Sequence, residues 1–306
     1  MKTSRIIPIA LALLTGLGAC QQKASKNTLV FATDSHNGVV NRTITMKNDS
    51  ISLNIDYSGT VAFTEDETAI SSLTPNDHLR YKMNSDELQA NADAKGTIAY
   101  ILKRGGKSLN PQDAEGKAFI AEAIRVMHDY GLDLDQRLGL LYRHSGSTGV
   151  LAEADRLRSG DLKKTAIDYV LTRDTLSAVL PAAARSIATV DDQPAKKELL
   201  LKWGPRFLND AAAQPAYFDA VKSESSAQLR GMVITGLADK GNWTEAQWIA
   251  LLNAAAAIEA NAEKTNTLLH VIQKAPHTAA VTDAARKAAA TISATPERQQ
   301  VEKAIQ

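Results

Sequence analysis

The sequence predicts an α+β protein, an N-terminal antiparallel β domain followed by an α-solenoid of helical pairs. Three observations predict it. From Leu29 to about Asn110 apolar and polar residues alternate, as strands with one buried face require. After Pro111 the apolar spacing changes to three- and four-residue steps, the stripe of an amphipathic helix. In the second half, helix breaks recur at the spacing of stacked helix pairs.

Residues 1–19 have the three parts of an export signal: a basic start (Lys2, Arg5), an apolar run from Ile6 to Leu17, and small residues at its end. The run is shorter than the roughly 20 apolar residues that a membrane span needs. Leu17-Gly18-Ala19-Cys20 resembles the lipobox of bacterial lipoproteins, in which a branched aliphatic and two small residues precede an invariant cysteine. The resemblance implies a diacylglycerol on the Cys20 thiol, cleavage before it and acylation of the new amino terminus. Cys20 is the only cysteine, so it has no disulfide partner within the chain. Two or three acyl chains, each buried methylene contributing about 0.8 kcal/mol, make a stable anchor. Gln21 stands where an aspartate would resemble an inner-membrane retention signal, which points to the outer membrane. Residues 20–27 read as a polar tether, and the absence of an acidic run in them favours the periplasmic face.

Residues 28–110 read as the β-rich domain. Leu53, Ile55 and Tyr57 alternate with Asn54, Asp56 and Ser58, and Leu79, Tyr81 and Met83 repeat the pattern. Turn formers separate these runs at His36-Asn37-Gly38, Ser58-Gly59, Thr74-Pro75-Asn76-Asp77 and Arg104-Gly105-Gly106. Residues 111–132 read as a connecting helix, with Phe119, Ile120, Ala123, Ile124 and Met127 on one face and Gly131 as its stop.

Residues 133–294 read as the helical-repeat domain and 295–306 as a C-terminal tail. Breaks fall at Ser145–Gly149, Ser159-Gly160, Asp191–Pro194, Asn209–Pro215, Lys240–Asn242 and Ala275-Pro276. Lys164, Lys197, Arg230 and Lys264 lie 33, 33 and 34 residues apart, each followed by apolar pairs such as Ile167 with Val170 and Val233 with Ile234. A single helical pair does not bury its apolar face, whereas a stack buries a continuous core. Equivalent positions in such a stack lie along one face. The four basic residues therefore define a candidate binding stripe for an extended acidic partner.

Gly59-Thr-Val-Ala-Phe63, Ile70-Ser-Ser-Leu-Thr-Pro75, Gly96-Thr-Ile-Ala-Tyr100, Arg137-Leu-Gly-Leu-Leu and Ser159-Gly-Asp-Leu-Lys-Lys164 are short motifs. Together they resemble a two-domain bacterial envelope module that in some proteins looks like the part attached to antirepressor-type membrane metallopeptidases. The resemblance spans roughly residues 50 to 290 and implies a β region followed by helical repeats, with no established chemistry. Gly160 departs from the Ser-Asp start of that module's repeats, and this sequence contains no peptidase portion.

Composition narrows the partners. With the signal removed, 33 basic residues face 34 acidic ones and the charges interleave, unlike the clustered basic excess of a nucleic-acid binder. The histidines at 36, 78, 128, 144, 270 and 277 lack the spacing of a zinc peptidase helix, so no metal or cofactor is expected. Arg104-Gly-Gly-Lys-Ser108 ends like a phosphate-binding loop but joins two expected strands, which makes it a hairpin turn. His144-Ser-Gly-Ser-Thr-Gly149 lacks the glycine spacing of a nucleophile elbow and reads as a loop between helices. Glu65-Asp66-Glu67 and Asp191-Asp192 read as a solvated turn and a helix start. The functional expectation is a membrane-anchored, non-catalytic binding or scaffold module for an envelope protein. The alternatives are an accessory sensor of envelope state and a cell-wall hydrolase whose carboxylates converge only in three dimensions.

Overall fold

The structure is a computed structural model that describes residues 28–36 and 39–306. Cys20, the signal and the tether lie outside the described residues, as do Asn37 and Gly38 of the first expected turn. Among the described residues nine strands come first: β1 (Thr28–His36), β2 (Val39–Lys47), β3 (Ser52–Ser58), β4 (Val61–Phe63), β5 (Ile70–Leu73), β6 (His78–Met83), β7 (Asp86–Ala92), β8 (Ile98–Arg104) and β9 (Lys107–Leu109). Seven form one antiparallel sheet in the order β1-β2-β3-β6-β7-β8-β9, while β4 and β5 form a separate two-stranded ribbon. Alternation decides the faces. Leu53, Ile55 and Tyr57 of β3 sit opposite Met83, Tyr81 and Leu79 of β6, so their apolar side chains share one side of the sheet. Arg104-Gly105-Gly106-Lys107 turns from β8 into β9, with both glycines at positive φ.

Helix α1 (Ala114–Asp129) covers that side. Phe119, Ile120, Ala123, Ile124 and Met127 join Ile55, Leu79, Leu88 and Leu102 in one core cluster, so α1 completes the sheet's core and is more than a connector. Asp113 caps its start by accepting from the Gly116 amide, and Gly131, at φ +91°, donates to the His128 carbonyl at its end. Leu132 is the last residue of this core and Leu134 belongs to the next. Between them Asp133 adopts a left-handed backbone, φ +50°.

The rest is helical: α2 (Leu134–Arg156), α3 (Gly160–Arg173), α4 (Leu180–Ala188), α5 (Gln193–Leu208), α6 (Gln214–Lys222), α7 (Ala227–Ala238), α8 (Glu245–Ala256), α9 (Asn261–Lys274), α10 (Ala279–Ala290) and α11 (Thr295–Ala304). The break expected at Ser145–Gly149 is present as a one-residue kink that divides α2 into two arms. Only Gly146 leaves helical geometry there, at φ +61° and ψ −159°. Residues 295–306, expected as a tail, form α11, which packs on α9 and α10 with Val301 fully buried.

The helical pairs stack in two layers, α3-α5-α7-α9-α11 and α4-α6-α8-α10. The second helices of four pairs are capped at Thr189, Ser223, Ala257 and Thr291, steps of 34 residues. The next residue is buried each time: Val190, Glu224, Ile258 and Ile292. One step of the stack is looser. α4 packs on α6 and α8 on α10, whereas α6 and α8 hardly touch, and an apolar groove of about 370 Å³ opens between them beside Phe218, Ala250 and Ala254.

Candidate functional site

The expected basic stripe is not an exposed row. The stack puts Lys163, Lys196, Arg230, Lys264 and Arg298 in register, because their amides bond the helix-start carbonyls of Ser159, Asp192, Ser226, Ala260 and Ala294. The first of these steps is 33 residues rather than 34. Lys164 and Lys197 therefore stand one residue further on, about 100° round the helix from the equivalents of Arg230 and Lys264. Lys264 is 7% exposed and donates to the Thr291 carbonyl and hydroxyl, each at 3.2 Å. Lys163 likewise reaches the Thr189 carbonyl at 3.1 Å, and Lys196 the Ser223 hydroxyl at 3.3 Å. The three lysines thus satisfy the last carbonyls and hydroxyls of the second helix in their pairs, whereas Arg230 donates to the Glu224 carbonyl at 3.1 Å. Lys164 pairs with Glu198 of the following repeat, Arg230 pairs with Glu259, and Lys197 is half-buried near Glu224.

Chemistry gathers instead where the two cores meet. A cleft of about 680 Å³ lies between the β4–β5 ribbon and the first half of α2. One wall is the continuous stretch Val61 to Glu67, and the other is formed by Gln136, Arg137, Leu140, Leu141 and His144, which share one face of α2. His128 at the end of α1 and Asp133 at the joint also line it.

Arg137 anchors this cleft. It sits in the apolar stripe Leu134, Leu138 and Leu141, and its guanidinium is almost wholly buried. Its Nε and Nη2 donate to the two carboxylate oxygens of Glu67, both at 2.8 Å, and its Nη1 donates to buried Glu153. A straight helix would hold positions sixteen apart about 24 Å from one another. The Arg137–Glu153 pair therefore requires the fold-back at Gly146. Glu153 continues to Arg156 at 3.7 Å, and Arg156 to buried Asp129 at 3.1 Å, so one network ties the ribbon, α1 and both arms of α2.

The carboxylates of the cleft behave differently. His128, whose Nδ1 lies 3.6 Å from Glu67 Oε2, and Arg137 hold the Glu67 carboxyl well below the usual range, against the opposing effect of burial. The 3.6 Å separation is an ion-pair distance, too long for a hydrogen bond. Both His128 ring nitrogens are buried without a hydrogen-bond partner among the described residues, and Phe63 packs edge-on against the ring at 4.8 Å. Burial pushes the Asp133 carboxyl up, although the Tyr57 hydroxyl donates to it at 3.3 Å. The same desolvation raises the Tyr57 phenol.

Among the described residues no group of three or more histidine, cysteine or carboxylate side chains is arranged to hold a metal ion, and no helix is long and apolar enough to cross a membrane. Asp192, of the expected pair Asp191-Asp192, caps α5 by accepting from the Ala195 amide at 2.8 Å. Sequence reasoning missed the Glu67–Arg137–Glu153 network because its members are 70 and 16 positions apart. One local signal pointed to it: an arginine within an apolar helix stripe has to find a buried partner.

Fold and site together define a class by architecture: an antiparallel sheet closed by one helix, continued as a stack of helical pairs, with a charged cleft at the joint. No protein-family model, no curated protein and no solved structure matches the chain.

Proposed function

We propose that the chain is a membrane-anchored envelope lipoprotein whose body is a non-catalytic binding module. Acyl groups on Cys20 hold it at the outer membrane, facing the periplasm, and the junction cleft receives a protein partner. The observation that carries this reading is the way Arg137 is used. It is buried between Glu67 and Glu153, so its charge locks the cleft's two walls in place. Rigid walls flanking a mixed apolar and polar cleft suit recognition, because little ordering remains to be paid on binding. The test is crosslinking in intact cells on the lipidated protein, followed by mass spectrometry of the crosslinked peptides. The reading expects a reproducible partner crosslinked through residues 61–67 or 136–144. Crosslinks no richer than those of a Cys20→Ser control would reject it.

A second reading has one specific observation in its favour. Glu67 and Asp133 share a cleft with ionisation pushed in opposite directions, the arrangement that divides acid and base roles in hydrolases. Against it, both oxygens of Glu67 already accept from Arg137, which leaves a very weak base. Release of soluble fragments from purified peptidoglycan, abolished by Asp133→Asn, would establish the hydrolase in place of the binding module.

A further inference from the structure

Resting on the binding reading, we propose that the cleft takes an extended, basic peptide segment of a partner protein by strand addition to the free edge of β4. Among the described residues the ribbon has two strands, so β4 is paired with β5 along one edge and unpaired along the other. Seven consecutive residues line the cleft, Val61–Phe63 of β4 and the turn Thr64 to Glu67 that follows it, and no residue of β5 does. The cleft therefore lies along the unpaired edge, where alternate residues of an extended chain offer N–H and C=O groups outward. Opposite this edge runs the face of α2. A groove bounded by a strand edge and a helix receives an added strand, whose backbone completes the ladder while alternate side chains enter pockets on the helix side.

The walls specify those side chains. Leu140, 42% exposed, and half-buried Leu141 and Phe63 form an apolar surface for an aliphatic or aromatic residue. The charge is acidic. Glu65 and Asp66 are exposed on the rim and Glu67 is held ionised, while the single cation of the walls, Arg137, is already shared between Glu67 and Glu153. A lysine or arginine side chain of the incoming segment meets this rim favourably and an acidic one is repelled.

The experiment is selection of a displayed library of short randomised peptides on the full chain purified in detergent. Enriched peptides are expected to carry Lys or Arg next to aliphatic or aromatic residues, and to slow hydrogen exchange at the outward-facing amides of β4. Methylating their backbone nitrogens should weaken them at least tenfold, and so should the protein variant Glu65→Lys, Leu140→Lys. Both substitutions fall on exposed side chains, and an unchanged circular dichroism spectrum certifies the fold. Failure to enrich any peptide, enrichment of acidic peptides, or exchange at β4 unaltered by binding overturns the proposal. If cellular crosslinking captures a partner equally with the double variant, strand addition falls and the binding module stands. If the wild type captures none, the broader reading falls first.

Discussion

Replacing Arg137 by methionine should be among the most damaging single substitutions in the chain. Methionine matches the length of the buried stem and removes the charge. Glu153, 3% exposed, would keep only Arg156 at 3.7 Å, and Glu67 would lose both of its short contacts to the guanidinium. Breaking a buried ion pair from one side costs about 3–5 kcal/mol, because the remaining charge stays desolvated. Glu67 adds little to that cost, since its side chain is 39% exposed and water replaces part of the lost contact. For a chain of this size each kcal/mol corresponds to roughly 2–4 °C of melting temperature, so Arg137→Met should melt about 6–20 °C lower. Urea denaturation followed by circular dichroism measures the same loss. Adding Glu153→Leu to Arg137→Met removes the stranded charge and should recover most of it. The sign with pH follows from Glu67. Its folded ionisation is depressed, so its stabilisation is present above the unfolded value near 4.3 and fades as the pH falls further below it. Arg137→Met should therefore show a shallower acid limb. A loss below about 1 kcal/mol, or a double variant no more stable than the single one, would refute the view that a buried network locks the joint.

Three further outcomes are expected. Glu224 occupies the place of Val190, Ile258 and Ile292 and is buried with neither oxygen hydrogen-bonded among the described residues, and burial raises its carboxyl; Glu224→Ile should stabilise by about 1–3 kcal/mol in urea denaturation, because it removes a buried unsatisfied carboxyl while Lys196 keeps its bonds to the Ala188 carbonyl and the Ser223 hydroxyl. Lys264→Met removes the bonds to Thr291 and should cost about 1.5–3 kcal/mol, seen as faster hydrogen exchange near the end of α10. Gly131→Ala places a methyl 2.9 Å from Leu162 Cδ2 at a positive φ and should cost about 1–3 kcal/mol by thermal melting.

Much of the fold was legible locally. The alternation at Leu53, Ile55 and Tyr57 and the stripe at Phe119, Ala123 and Met127 each report burial on one face, and these residues are buried in one core. The hairpin at Gly105-Gly106 followed from turn chemistry, because two adjacent glycines meet the positive φ that the turn requires. The break expected between Ser145 and Gly149 falls at Gly146, but it takes a single residue in place of a loop, because Arg137 and Glu153 hold the two arms of α2 together. The last residues looked like a tail because Val301 and Ile305 are their only aliphatic anchors, and only α9 and α10 give these a surface to cover.

The candidate site was not legible in the same way. The repeat was visible as a period, but its register was not. Aligning basic residues placed Lys164 and Lys197 with Arg230 and Lys264, whereas the stack aligns helix starts and ends, which put Lys163 and Lys196 there. By itself the sequence determined the two regions, the kind and order of most elements and the period of the repeat, because helix, strand and turn preferences act over a few residues. Only the tertiary structure decided the register and the cleft, because Glu67, His128, Arg137 and Glu153 become neighbours only once α1 covers the sheet and α2 folds back at Gly146.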